Sequence, residues 1–466
     1  MASGCKRYII RPTVEPVLLM FMLGGFLSYP VLQQLIYAMI CEDTKGCENG
    51  QNETNSQCGK PSDVEQHVQT ATSHWLLYIN IANGIPSILS ALVAGGASDH
   101  IGRKILIIIA SAGGTINMIV ILMTYYAALP KYVFLFGASI SGCMGGFTVV
   151  NLAVYSYMAD ISSIQDRTCR FGILESMTYI GGSLGGLIGG LWLKGGNYVQ
   201  PFYAVAALHI AVFIACIIPC LIPESVKAKK GATFNLITVL QQNMKSFVEV
   251  FIHGEHFNIL LPLLLIFLFV EINFLGLSDV VVLFSLGKPL CWSPENIGYF
   301  LSLKVAFNGF ASLFLLPLLS KKLKDTIIII IGLLSGAVAL VALGLSYYSW
   351  IVLTVPILGA FRGCVVPVLR AMMSKYCPRD KEGVVFSGLA SIEMVCMVLA
   401  SVLYNAVYPL TRKLYPGLCF HVMAVLLSVP FLLTLYLHVT TKQVAMTEYN
   451  EILEEVGEDH HNPDNF

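Results

Sequence analysis

Twelve long apolar blocks punctuate the chain, at about 13–38, 73–97, 104–126, 132–158, 169–194, 200–222, 258–286, 294–318, 325–346, 349–373, 382–408 and 415–439. No other feature constrains the fold as much. Each block has the length an α-helix needs to cross a bilayer core, about 20 residues. The blocks are continuously apolar and do not alternate every second residue, which favours helices over a barrel. Of the 466 residues, 56% are hydrophobic and 12% are charged, against about 25% charged in a soluble domain. Such a composition excludes a disordered chain. The 28 Lys and Arg balance the 28 Asp and Glu, leaving no basic excess for nucleic acid. The chain reads as an all-α polytopic membrane protein with twelve transmembrane helices. The first block follows Lys6, Arg7 and Arg11. It is too long for a secretory signal core, so it is read as a retained span.

Charge sets the orientation. With the N-terminus in the cytosol, 18 Lys and Arg fall on the cytosolic side, 7 on the other, and 3 (Lys304, Arg362, Arg370) inside spans. The bias puts both termini inside. Segment 39–72, then external, contains Asn52-Glu53-Thr54, a glycosylation acceptor that works on that face. Cys41, Cys47, Cys58 and Cys291 lie on the same oxidising side, where disulfides persist; a bridge from the first external loop to the loop between spans 7 and 8 would tie two halves together. No Cys or His spacing suggests a metal site.

Six spans, a polar stretch and six more spans make a 6+6 arrangement. Residues 1–12 are a cytosolic N-terminus, 13–222 one six-helix half, 223–257 a cytosolic linker, 258–439 the second half and 440–466 a cytosolic tail. Chains built this way hold a solute near the bilayer midplane between their halves and expose it by rocking. Span 5 carries Gly181, Gly182, Gly185, Gly186, Gly189 and Gly190, a stripe that lets another helix approach closely. The stripe fits tight packing and sliding equally. No H-E-x-x-H, G-x-S-x-G or P-loop string occurs, so an enzyme is not expected. No cofactor is expected beyond a proton as coupling ion.

The most specific string lies between spans 2 and 3: Gly95-Gly96-Ala97-Ser98-Asp99-His100-Ile101-Gly102-Arg103-Lys104. Gly102 permits a tight reversal, and Asp99 can pair with a base or cap a helix when the cytosolic side is closed. This string resembles the signature of the major facilitator superfamily, G-x-x-x-D-x-x-G-R-[KR]. Gly95, Asp99, Gly102, Arg103 and Lys104 then form the conformational gate. Further strings narrow the resemblance: Val14-Glu15-Pro16, Thr72 to Asn80, Ala159-Asp160-Ile161 with Arg167 to Arg170, Pro289-Leu290-Cys291-Trp292, and Pro367-Val368-Leu369-Arg370 with Ser374-Lys375. Together they are similar to solute carrier family 46, and within it to the branch of proton-coupled folate transporters, over about 13–437.

That resemblance implies proton coupling at Glu175, coupling and substrate affinity at Arg370, and an external disulfide between Cys58 and Cys291. Two positions depart from the folate branch: Cys143 stands where it has a span 4 aspartate, and Phe274 where it has a span 7 histidine.

A charge at the bilayer centre costs about 2.5–3.5 kcal/mol on insertion scales. Glu175, Glu271, Lys304, Arg362, Arg370 and Glu393 all lie inside spans; unoffset, the six would cost on the order of 15–20 kcal/mol, so some must pair or meet water. A desolvated carboxyl binds and releases a proton nearer neutrality than a solvated one, which suits Glu175. Glu271 and Lys304 sit at similar depth on consecutive helices: either they neutralise each other, or Glu271 protonates while Lys304 attracts an anionic substrate. Arg370 can hold a carboxylate with its bidentate fork; Arg362, two turns earlier, could line the same substrate cavity, with Glu393 as partner or bystander.

The expected function is proton-coupled symport of folate or a related organic anion toward the cytosol, at the plasma membrane. One alternative is an endolysosomal family-46 carrier of steroid conjugates, bile acids or peptidoglycan fragments. It draws on Tyr449-Asn450-Glu451-Ile452 and on Glu448 with Ile452-Leu453, which match sorting signals. The other is a non-transporting membrane receptor or scaffold.

Overall fold

The computed structural model describes residues 14–44, 63–194, 198–218, 221–225, 236–286, 290, 292, 294–378 and 381–442. Twelve helical spans run through them, with no strand among the described residues. The first half holds α1 (Glu15–Thr44), α2 (Asp63–Ile101), α3 (Arg103–Tyr126), α4 in two pieces (Val133–Cys143 and Gly146–Ile161), α5 (Arg167–Lys194) and α6 (Gln200–Ile217). The second holds α7 (Phe257–Leu286), α8 (Pro294–Phe310), α9 (Asp325–Gly344), α10 (Ser349–Leu358, then Val365–Tyr376), α11 (Glu382–Leu414) and α12, which begins at Leu418 and reaches Lys442.

Eleven of the twelve are long and apolar enough by composition alone to cross a membrane. The exception is α5, whose glycines and charged residues dilute its apolar content. The spans turn large apolar side chains outward: Phe136, Trp350, Val402 and Val425 are all about two-thirds exposed. In water such a surface would associate; in a bilayer it faces lipid, while helices satisfy every backbone group internally.

Two boundaries differ from the sequence reading. Helices α1 and α2 overrun their apolar blocks, so the segment between them shortens from 39–72 to 45–62; polar helix ends continue past the hydrocarbon because nothing breaks them. The linker is not all loop. Leu236–Val248 is a helix, followed by a π-helical turn at Glu249–His253. Asn52 and Cys58 (in 45–62) and Cys291 lie outside the described residues.

Breaks have local causes. In α4, Gly145 and Gly146 take φ of +94° and +45°, where a side chain would be strained. At the break, the carbonyls of Gly142 and Cys143 accept hydrogen bonds from Ser90 Oγ at 3.2 and 2.8 Å, Gly142 O also accepting Gly145 N–H at 2.9 Å. In α10, Pro356 and Gly359 interrupt the helix and a 3₁₀ turn covers Ala360–Cys364, as expected after a proline that removes a donor.

Contacts between the halves run along α2 against α11, and along α5 against α8 and α10. The glycine stripe divides. Gly181 and Gly185 meet the backbone of α1 in their own half, so that a Cβ on either would lie 2.9 Å from Leu23 N or Leu27 N. Gly186 instead faces Ser302 on α8, and Gly182 lies between Phe26 of α1 and Val305 of α8. One row is packing within a half and the other is a face between halves.

Candidate functional site

Helix α5 carries a ladder of contacts to the second half at Arg167, Glu175 and Ser183, each eight residues and about 12 Å along the axis from the next. At the end nearest the linker, Arg167 Nη1 pairs with Glu382 Oε1 at 2.6 Å and donates to Ser374 O and Oγ, both at 2.7 Å. Beside it, Lys375 Nζ bridges Asp325 Oδ2 at 2.5 Å and Thr168 Oγ1 at 2.7 Å. At the far rung, Ser183 Oγ donates to Ser302 O at 3.1 Å.

The middle rung joins three of the buried charges. Arg370 Nη1 donates to Glu175 Oε2 at 2.7 Å, and its Nη2 donates to Glu393 Oε1. The hydroxyl of Tyr155, on α4, donates to the same Oε2. The guanidinium lies over the Tyr155 ring, 4.3 Å from its centroid, with Phe267 at 5.8 Å. Phe171 and Phe386 pack on Tyr155, closing the cluster off toward the linker end. Glu175 and Tyr155 come from one half, Arg370 and Glu393 from the other. Two carboxylates share one guanidinium here. The group carries one excess negative charge when both are ionised and none when one is protonated.

Glu271, Lys304 and Arg362 are arranged differently. Glu271 is buried, and no ion pair joins it to Lys304 among the described residues; of the two sequence readings, mutual neutralisation is not what the fold adopts. Among the described residues, Lys304 Nζ reaches only Ser278 Oγ, at 3.4 Å. Arg362 Nη2 donates to Asn273 Oδ1 at 3.2 Å, and that amide is held by its own bond to Met423 O at 2.9 Å. Both cations lie within 6 Å of the Phe274 ring, inside cation–π range.

The string between α2 and α3 is closed mostly within its own half. Gly102 has φ of +102° and precedes the first turn of α3. Arg103, buried, bonds Asp160 Oδ2 at 3.2 Å and also Ser98. Glu224, from the start of the linker, accepts the backbone N–H of Arg103 at 2.9 Å and of Lys104 at 3.2 Å, capping α3. Lys104 Nζ donates to Ile222 O at 3.0 Å. Gly95 faces across: a Cβ there would meet Ser387 and lie 3.0 Å from Gly383 O on α11. The side chain of Asp99 lies outside the described residues.

Sequence reading missed Tyr155, Asp160, Glu224, Asp325 and Glu382. For Glu224 a signal existed, as the first acid after span 6. The others become partners only through the fold.

The sequence profile of the Major Facilitator Superfamily matches residues 16–401. The proton-coupled folate transporter of Rattus norvegicus is 29% identical over 433 residues, 91% of this chain and 92% of that protein. The lysosomal proton-coupled steroid conjugate and bile acid symporter SLC46A3 of Mus musculus is 28% identical over 426 residues, 90% and 92% of the two. Among solved structures, the human organic anion transporter MFSD10 (TETRAN) superposes with a TM-score of 0.72 at 17% identity, covering 90% of this chain and 98% of that one. FucP in the outward conformation gives 0.63 at 9% identity, covering 91% and 99%.

Proposed function

The chain belongs to the major facilitator superfamily, a family of membrane transporters and not of enzymes, and on that premise we propose that it is a proton-coupled symporter of a small organic anion, folate or a related carboxylate, working by alternating access toward the cytosol. One observation carries this reading: Arg370 is bonded across the interface between halves to Glu175 while also holding Glu393.

A cluster with one excess negative charge resists a second anion. If Glu175 takes a proton, its claim on Arg370 weakens, and a substrate carboxylate can take the vacated side of the guanidinium fork. The net charge then returns to its starting value, so anion entry and proton entry are linked by electrostatics. A cycle moving one proton with one negative charge is electroneutral. It draws on the pH difference, about 1.4 kcal/mol per unit, and not on membrane voltage. The contacts of Arg167, Lys375 and Gly95 close the linker end, which the excess of Lys and Arg puts in the cytosol together with both termini. Gly102, Arg103 and Lys104 shape that end by fixing the start of α3.

The plasma membrane is the proposed location. A second reading, an endolysosomal carrier of bulkier amphiphilic anions such as steroid conjugates or bile acids, is favoured by the similarity to the lysosomal steroid conjugate and bile acid symporter and by the tail strings at Glu448 and Tyr449.

Proteoliposomes holding the purified chain, assayed with radiolabelled folates, sulfated steroids and muropeptides at acidic and neutral external pH, test the proposal. Uptake of one class should rise with external acidity. Glu175→Gln should keep solute exchange at equal pH but lose the response to acid. Undiminished acid-driven uptake by that variant would sink the assignment. Absence of flux across the panel would favour a receptor or scaffold.

A further inference from the structure

Lys304 and Arg362 line one small cavity that the cross-half cluster does not share. Its wall is built by Phe274 of α7, Asn308 of α8, Gly336 of α9 and Gly359 at the break in α10. All four helices belong to the second half, so the cavity stays intact however the halves rock. Its volume is about 30 Å³, room for one or two waters and far too small for a folate or a steroid.

Two basic side chains, Lys304 and Arg362, face this space, each more than nine-tenths buried. Neither has a carboxylate within ion-pair distance among the described residues. Arg362 spends one donor on Asn273, and Lys304 has one long contact to Ser278. The remaining donors, out of five on a guanidinium and three on an ammonium, find no acceptor among the described residues. Charge at this depth is costly without a close partner; neutral amides and hydroxyls offset only part of it, and Glu271 acts on Arg362 only through space. Glu271 does not line the cavity. Small residues keep the space open: a Cβ on Gly336 would lie 3.4 Å from Arg362 Cδ, and one on Gly359 would lie 3.1 Å from Ala339 Cβ. The apolar remainder of the wall and the Phe274 ring suit a large, weakly hydrated ion better than a strongly hydrated one.

We propose that the cavity between α7, α8, α9 and α10 is a resident-anion site that holds one halide-sized monovalent anion between Lys304 and Arg362. This site is independent of the transported solute and neutralises the second half from within.

The test uses the full chain purified in detergent, with gluconate as background anion at constant ionic strength. Chloride and bromide should raise the midpoint of thermal unfolding along a saturating curve, since a ligand that binds only the folded state stabilises it by mass action. Sulfate should not. Radioactive chloride should bind in a form displaced by bromide and not by gluconate. Lys304→Gln should raise the half-saturating chloride concentration by about tenfold or more, a change equal to about 1.4 kcal/mol, while Lys304→Arg should restore most of the response. If Lys304→Gln fails to fold, the wild-type titration and displacement still decide. Identical midpoints in chloride and gluconate would overturn the proposal, and so would stabilisation by formate without any by halides. Neither readout depends on solute flux, so the proposal can fail while symport stands, or the reverse.

Discussion

The two groups of buried charge in this protein solve the same problem in opposite ways. Around Arg370 each charge has an opposite partner, and the partners come from different halves. Around Lys304 and Arg362 the hydrogen-bond partners are neutral, and all come from one half. A bond between halves can be exchanged for another as they separate, so it suits a proton or a solute that comes and goes. A pair of like charges inside one half is not relieved by that motion and needs something that stays.

The contrast can be broken most directly at Arg370. Arg370→Gln leaves Glu175 and Glu393 buried without their cation. Removing one partner of a buried pair costs about 3–5 kcal/mol, and at about 1.4 kcal/mol per tenfold solute flux should fall by two orders of magnitude or more, measured per molecule of inserted protein. Arg362→Gln, which strips only a neutral amide, should cost clearly less in gluconate. Equal losses would erase the distinction. Next comes Arg167→Ala at the linker end of the same ladder. Charged hydrogen bonds are worth about 1.5–3 kcal/mol, so opening of that end should rise by about tenfold to a hundredfold, read as faster amide hydrogen exchange over 371–376. Glu224→Ala, within one half, should lose about 1 kcal/mol of helix capping and speed exchange mainly at Arg103 and Lys104. The smallest effect belongs to Lys381→Ala. Its 3.1 Å pair with Glu249 is partly exposed, and such pairs contribute about 0–1 kcal/mol, so flux and stability should stay at wild-type levels.

Most of the architecture was legible in the sequence because membrane helices announce themselves by length and apolar content. The two places where reading was weakest follow from the same rule. Helix α5 is the least apolar span because it carries Glu175 and the glycines that let other helices approach. The linker helix was read as polar loop because it is amphipathic: Phe247 packs against Gly388 and Asn243 donates to Leu92 O at 2.6 Å, while Gln241 and Gln242 are exposed. Its signal is a period of three to four, which continuous apolar content does not register. For the site, the sequence supplied the charged residues but not their pairing. Glu175 and Arg370 are 195 residues apart, and Arg167 and Ser374 are 207 apart. Nothing local chooses Glu393 over Glu271 as the second partner of Arg370. The gate string shows the same limit. Its glycines foretold a tight turn, but the acids that hold Arg103 and cap α3, Asp160 and Glu224, lie beyond it.

The connection between the halves is fastened at several points. Its first residues grip the start of α3 through Glu224, its helix reaches α2 through Asn243, and its far end touches α11 through Phe247 and Lys381 through Glu249. It therefore acts as a strap drawn across both bodies. Opening on this side must peel at least one of those fastenings, so the strap adds resistance to one direction of the rocking stroke and none to the other. A nick in it would leave every helix standing and still change the tempo of the cycle.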